Sequence, residues 1–535
     1  MNFDWHNPYA TVRSPVFARN VVSTSHPLAS QAGLRMLLEG GNAIDAAIAA
    51  AAALTIVEPV SNGLGSDLFA ILWDGQRLLG LNASGVAPAA WDGAYFERRH
   101  GGALPLRGWD SVTVPGAVAG WVALSARCGQ LPFADLLEPA IELAERGNGV
   151  ACIVADKWAR QVPLLQSQPG FAEAFMPRGR APRPGERFVF EAAGRTLRAI
   201  ARTRGEAFYR GEIASALVAH AAGNGGSMSA ADLANWQPDW VEPISMAFAG
   251  HTVHQIPPNG QGIAALMALG MLEQLDVVRF PVDSVESQHL QIEAMKLAFA
   301  DVYRWVADPR AMTAVTAAHL LSPAYLRERA RRIVPGLAQD FAHGTPPAGG
   351  TVYLTAADGQ GRMISLIQSN YMGFGSGVVV PGTGVSLQNR GQGFTLDAAH
   401  PNVVAPGKRP FHTIIPGFLC QDGKPRMSFG VMGGNMQPQG HVQTLMRMLR
   451  HGQQPQAACD APRWKVATGL DVDFERTMAP GLVAGLQALG HRSEATADAY
   501  MDFGSGQFIW RLSDDPADGY VAASDSRRDG QAVGF

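Results

Sequence analysis

The sequence predicts an α+β protein whose helices and strands are largely segregated along the chain. Three observations carry this expectation. Small and apolar residues recur at helical spacing through the first two thirds, a Pro/Gly-rich stretch from His343 to Gly350 cannot hold regular structure, and the last third consists of β-type runs parted by Asp-Gly and Gly-rich turns. With 535 residues, 47% hydrophobic and 17% charged, the composition is that of a globular enzyme able to bury a large core.

Residues 28 to 55 alternate Ala and Leu with small residues and are interrupted by Gly40-Gly41, which predicts two helices packed through alanine faces. Further helical patterns run over 115 to 146, 190 to 222, 261 to 275 and 284 to 306. Leu68 to Trp73 and Thr252 to Gln255 read as strands, so the first part is mixed and not a pure bundle. A basic helical stretch, Tyr325 to Arg332, leads into the linker, which should be exposed. Beyond it, Val352 to Ala356, Met363 to Gln368, Gly377 to Val380 and Arg426 to Gly430 are strand-like.

Charge narrows the function classes. A formal charge of -3 from 43 basic and 46 acidic residues, with no basic stripe interleaved with aromatics, predicts no nucleic-acid partner. The start, Met1-Asn-Phe-Asp-Trp-His-Asn-Pro, has no basic-then-apolar signal pattern, so a cytoplasmic location is expected. The most apolar run, Ala43 to Val57, contains Asp45 and falls short of the roughly 20 residues that span a bilayer. Cys128, Cys152, Cys420 and Cys459 lie far apart without CxxC spacing, which suits neither a disulfide framework nor a zinc site. No P-loop, Rossmann fingerprint or metal-ligand cluster is present, and no cofactor or metal is expected.

One junction has the right parts for self-processing. A flexible loop enters a strand that begins with Thr351, and a threonine freed at its amino group carries both a nucleophilic hydroxyl and an α-amine with an unperturbed pKa of ~7.7 to 8. Gly-Gly-Thr ahead of a strand is also what an ordinary loop looks like, so spacing alone does not decide.

The segments Thr351-Val-Tyr-Leu, Gln368-Ser-Asn370-Tyr-Met-Gly-Phe-Gly-Ser-Gly377, Lys408-Arg-Pro410 and Gly430-Val-Met-Gly-Gly434 resemble the γ-glutamyltransferase family in order and spacing. Gly40-Gly-Asn-Ala-Ile-Asp-Ala-Ala47, Val57-Glu-Pro59, Val114-Pro-Gly116, Ile256-Pro-Pro258, Asp460-Ala-Pro-Arg463 and Ala523-Ser-Asp525 extend the resemblance over nearly the whole chain. It implies a four-layer αββα N-terminal nucleophile hydrolase sandwich, built from a large fragment, 1 to 350, and a small one, 351 to 535. Cleavage between Gly350 and Thr351 would make Thr351 nucleophile and base, while the two fragments stay associated through a shared core. Whether such heterodimers pair further stays open.

The same resemblance implies that Gly433 and Gly434 form the oxyanion hole, where glycines let two backbone N–H groups approach unobstructed, and that Asn370 contacts substrate. A tight turn is the plainer reading of each. Other members hold the glutamyl α-carboxylate with an arginine where this chain has Ser84-Gly-Val-Ala-Pro88, and the α-ammonium with an acid where it has Gln392-Gly-Phe394. A Ser-Ser pair is replaced by His412-Thr413, and a glutamine by Arg390. Removing the partner of a buried charge costs ~3 to 5 kcal/mol, so a γ-glutamyl substrate should be disfavoured several hundred-fold or more.

A pocket with Arg390, His412 and Thr413 but no acid suits a small amide that carries a carboxylate and no ammonium. Arg390 could equally bridge loops, and His412 could be structural. Loss of the glutamyl determinants resembles the oxamate amidohydrolase branch, which implies release of ammonia from oxamate in purine catabolism. A dicarboxylate or cephalosporin acylase, a true γ-glutamyltransferase or glutathione hydrolase, and an idle scaffold remain alternatives.

Overall fold

Alternation along the strands sets the layers. In the strand Asp67–Trp73, Leu68, Ala70 and Leu72 point into one core, while Phe69 and Ile71 point into another. The strand Gly350–Ala357 divides in the same way: Val352, Leu354 and Ala356 on one side, Tyr353 and Ala357 on the other. A strand apolar on both faces must be covered on both, and that requirement stacks two sheets between helices.

The computed structural model describes residues 4, 6, 8–10, 13–341, 350–493 and 503–535. The linker from 343 to 349 lies outside the described residues. The sheet strands, in chain order, are β1 (Val16–Ala18), β2 (Val21–Thr24), β3 (Asp67–Trp73), β4 (Leu78–Ala83), β5 (Asp239–Val241), β6 (Ile244–Phe248), β7 (His251–Gln255), β8 (Gly350–Ala357), β9 (Met363–Tyr371), β10 (Gly417–Gln421), β11 (Lys424–Met432), β12 (Ser505–Arg511), β13 (Tyr520–Ser524) and β14 (Gln531–Gly534). One antiparallel sheet has the order β14-β2-β8-β9-β3-β4-β5 and the other β1-β13-β12-β11-β10-β7-β6. Both mix strands from before and after residue 351.

The main helices are α1 (Pro27–Leu38), α2 (Ala43–Val57), α3 (Ala117–Cys128), α4 (Phe133–Arg146), α5 (Glu191–Thr203), α6 (Gly262–Leu272), α7 (Val285–Trp305) and α8 (Met436–Leu445). Helices α1 to α5 cover the first sheet, and α6 to α8 cover the second. Between the sheets lies a smaller core of Phe69, Ile71, Tyr353, Ile367, Phe418, Met432 and Ile509. This is the expected αββα sandwich.

The two alanine-rich helices are α1 and α2, and every residue of α2 is buried. Asp45 is tolerated there because it closes a capping box with Asn42 and also accepts the N–H groups of Gln130 and Leu131. The strand expected over Gly377 to Val380 shrinks to Val379–Val380, because Gly375 and Gly377 take left-handed backbone conformations that no strand can continue. Between the sheets, Gly430 faces the Tyr353 ring, and a Cβ would lie 2.3 Å from it. Among the described residues no helix is long and apolar enough to cross a membrane, and all four cysteines are free thiols.

Candidate active site

Thr351 sits at an irregularity in the ladder between β8 and β9. Gly350 pairs with Tyr371 and Val352 with Gln368, so Ser369 and Asn370 together oppose the single Thr351. Such a bulge re-aims a side chain at a strand end. Thr351 is buried, and its Oγ1 lies 3.3 Å from Ser369 Oγ. Ser369 Oγ also accepts the N–H of Tyr371, a non-glycine residue held at φ +78°.

Asn370 ties three segments together. Its Nδ2 donates to Ser386 Oγ at 3.0 Å, its Oδ1 accepts from Ser66 Oγ at 2.8 Å, and its backbone N–H donates to Ser61 O at 3.1 Å. Gly433 and Gly434 follow β11 with φ of +117° and +59°, and a Cβ on Gly433 would lie 2.9 Å from the Cα of Gly504. Their carbonyls accept the N–H groups of Met436 and Gln437 at the start of α8. The sequence landmarks Arg463 and Asp525 meet at 2.7 Å, and Arg463 also donates to Phe503 O, beside Gly504.

Arg390 is 1% exposed. Its Nη1 donates to Thr413 Oγ1 at 2.8 Å, and its guanidinium lies 4.7 Å from the centre of the Tyr371 ring. Its Nε and Nη2 have no partner among the described residues. Burial lowers its pKa to about 10, which still leaves it charged. His412 has both ring nitrogens engaged: Nε2–H donates to Asp67 Oδ2 at 3.0 Å, and Nδ1 accepts the Ile414 N–H at 3.3 Å. Burial first, then the charges of Arg390 and Arg409, hold this imidazole well below its usual pKa, so it is neutral.

The structure corrects the expectation that the pocket holds no acid. Asp67, the first residue of β3, is fully buried and stands across the ladder from Ser369. The apolar run beginning at Leu68 hid it, since an acid at the edge of such a run reads as a turn residue. Gln261 was also missed. Its Nε2 donates to Thr413 O at 2.6 Å and to Gly434 O at 2.9 Å, joining the Arg390 and Gly433-Gly434 loops. Ser84 lies in a network with Asn82 and Asn259, and its carbonyl accepts from Arg409 Nε. Gln392 Oε1 is buried without a partner among the described residues.

Two other features bear on binding. A surface cleft of about 740 Å³ is lined by Val86, Ala87, Trp236, Arg310 and Arg409, and neither Thr351 nor Arg390 borders it. Among the described residues one group has metal-ligand composition, His289, Glu293 and His491, with ligand atoms within 4.8 Å of one another. A cation is already there: Lys296 Nζ donates to Glu293 Oε1 at 2.8 Å, Gln339 O at 3.1 Å and His491 Nδ1 at 3.3 Å. The ammonium uses all three of its donors, so this cluster is a buried ionic clamp.

The family model described as gamma-glutamyltranspeptidase matches residues 29–535. The chain belongs to this family. Its relatives include the glutathione hydrolase-like YwrD proenzyme of Bacillus subtilis (strain 168), 36% identical over 98% of this chain and 100% of the relative. The oxamate amidohydrolase proenzyme of Klebsiella pneumoniae subsp. pneumoniae is likewise 36% identical, over 98% of this chain and 99% of that one. A crystal structure of cephalosporin acylase from Bacillus halodurans superposes with a TM-score of 0.93 at 46% identity, covering 99% of this chain and 98% of that chain. The γ-glutamyltranspeptidase family member described here is therefore a hydrolase of the N-terminal nucleophile fold, with amidohydrolases and acylases among its relatives.

Proposed function

We propose that this protein is a proenzyme that cleaves itself between Gly350 and Thr351, and that the mature enzyme hydrolyses a small amide bearing a free carboxylate, oxamate being the leading substrate. The observation that carries the substrate class is Arg390. A buried guanidinium whose Nε and Nη2 have no partner among the described residues has the fork that pairs a carboxylate bidentately. Tyr371, on which it stacks, is the ladder partner of Gly350. The proenzyme relative that acts on oxamate supports the same choice.

In self-cleavage, Thr351 Oγ attacks the carbonyl carbon of Gly350, and its proton passes to the Thr351 nitrogen as the C–N bond breaks. Water then hydrolyses the resulting ester, leaving a Gly350 carboxylate and a free Thr351 amine. In turnover the amine takes the hydroxyl proton, Oγ attacks the substrate amide carbon, and the proton goes to the departing nitrogen. Water releases the acyl group, so oxamate would give oxalate and ammonia. Gly433 and Gly434 are assigned to stabilise the oxyanion, and Gln261 to position their loop. Asn370 is assigned to the substrate side. No cofactor enters, since nucleophile and base lie on one residue.

Ser369 is the hydroxyl neighbour of Thr351, so Ser369→Ala should slow self-cleavage about tenfold or more, read as the fraction of uncut chain on a denaturing gel over time. The substrate assignment is tested by giving the cleaved protein oxamate and, separately, a γ-glutamyl anilide. Ammonia from oxamate without aniline release is the expected result; preferential anilide hydrolysis would replace this reading with a γ-glutamyl one. A dicarboxylate or cephalosporin acylase is the second reading, favoured by the 46% identical acylase structure, and it would use Arg390 in the same way.

A further inference from the structure

The proposed carboxylate site contains a second charge. Asp67 Oδ1 accepts the Gly85 N–H at 3.2 Å, and Oδ2 accepts from His412. With Nδ1 occupied by the Ile414 N–H, His412 is fixed in one tautomer and cannot take a second proton without losing that bond. The backbone around it is clamped as well: the His412 N–H donates to Asn259 O, and its carbonyl accepts the Gln261 N–H at 2.9 Å. The next residue, Thr413, receives Arg390. Asp67, His412, Thr413 and Arg390 therefore form one continuous connection.

The charged groups facing Asp67 are Arg390 and Arg409, with His412 neutral and the buried hydroxyl of Tyr209 nearby. Arg409 is committed elsewhere, pairing with Asp239 at 2.7 Å and holding Ser84 O. Among the described residues the Arg390 guanidinium has no carboxylate within hydrogen-bond reach and makes one hydrogen bond, to a hydroxyl. Asp67 is thus the buried negative charge that opposes Arg390 without touching it.

We infer that Asp67 is a specificity-determining positioning residue: through His412 it fixes the turn that carries Thr413, and its charge sets how strongly Arg390 takes a substrate carboxylate. This rests on the reading of Arg390 given above. A substrate carboxylate entering the fork is attracted by Arg390 and repelled by Asp67. At the effective dielectric of a protein interior, a buried unit charge that interacts with the guanidinium changes the affinity of a carboxylate bound there roughly tenfold or more. Burial pushes Asp67 up to about 7, so the opposing charge is present above that pH and lost below it. KM for a carboxylate substrate should therefore rise as pH rises through 7, while KM for a neutral amide of the same size stays level.

The test compares oxamate with its neutral isostere oxamide on the cleaved enzyme and on Asp67→Asn between pH 6 and 8. The parameter is KM where the compound turns over, and the inhibition constant against another amide where it does not. In the unsubstituted enzyme the oxamate-to-oxamide ratio of these constants should climb about tenfold with pH. In Asp67→Asn the climb should shrink to the part that titration of the Thr351 α-amine contributes, and the low-pH value should be unchanged. A variant that weakens both compounds by one common factor would reduce Asp67 to scaffolding and overturn the inference. Should Asp67→Asn fail to fold, the unsubstituted enzyme still decides, because a ratio that ignores pH overturns it too. Arg390→Met separates the two claims: if it leaves the ratio unchanged, the carboxylate site itself is wrong; if it removes oxamate preference while Asp67→Asn changes nothing, only the role of Asp67 falls.

Discussion

Thr351→Ala is expected to remain a single 56.8 kDa polypeptide without amidase activity. The substitution removes the hydroxyl that attacks Gly350, so the α-amine is never released and both catalytic groups are lost together. Loss of a nucleophile on this scale lowers turnover by at least about 10⁴-fold. Only a hydroxyl and one methyl are lost at this buried position, so the uncut chain should still fold, checked by circular dichroism and its unfolding transition. Thr351→Ser restores the hydroxyl and should restore both the cut and some activity. Two fragments from Thr351→Ala on a denaturing gel would mean that the nucleophile lies elsewhere.

Arg390→Met should raise KM for a carboxylate-bearing amide about 10²-fold or more, the scale of truncating one partner of a buried charge pair. The same change should leave the unfolding temperature level or higher. In the free enzyme this guanidinium is desolvated and only partly bonded, and replacing such a charge by an apolar side chain of similar volume is commonly neutral or stabilising. Steady-state kinetics on the cleaved variant, beside a thermal melt, reads both. Arg390→Lys should fall between, because an ammonium supplies charge without the planar fork. Equal loss of activity and stability would point to a structural arginine bridging the Tyr371 and Thr413 segments.

Local pattern and whole-chain motif spacing made much of the protein legible. The paired helices α1 and α2, the helices at 117–146 and 285–305 and the strand entered at Gly350 follow from residues near one another in the chain, and membership of the γ-glutamyltranspeptidase family from the order and spacing of motifs along it. They are readable because capping, turn formation and hydrophobic period act over a few residues. Thr351, Asn370, Arg390, His412, Thr413 and the Gly433-Gly434 pair were nominated as candidates by motif position. Their partners were not, because hydrogen bonds across a sandwich join residues that no local rule connects. Asp67 and His412 are 345 positions apart, and Gln261 reaches over 152 positions to Thr413 and 173 to Gly434. The sequence by itself determined the fold class and the family, and it nominated Thr351 as the residue where the chemistry would begin. Only the tertiary structure decided that an acid, Asp67, is buried against His412 next to the residue that receives Arg390, because burying a charge is tolerable only where distant segments converge to satisfy it.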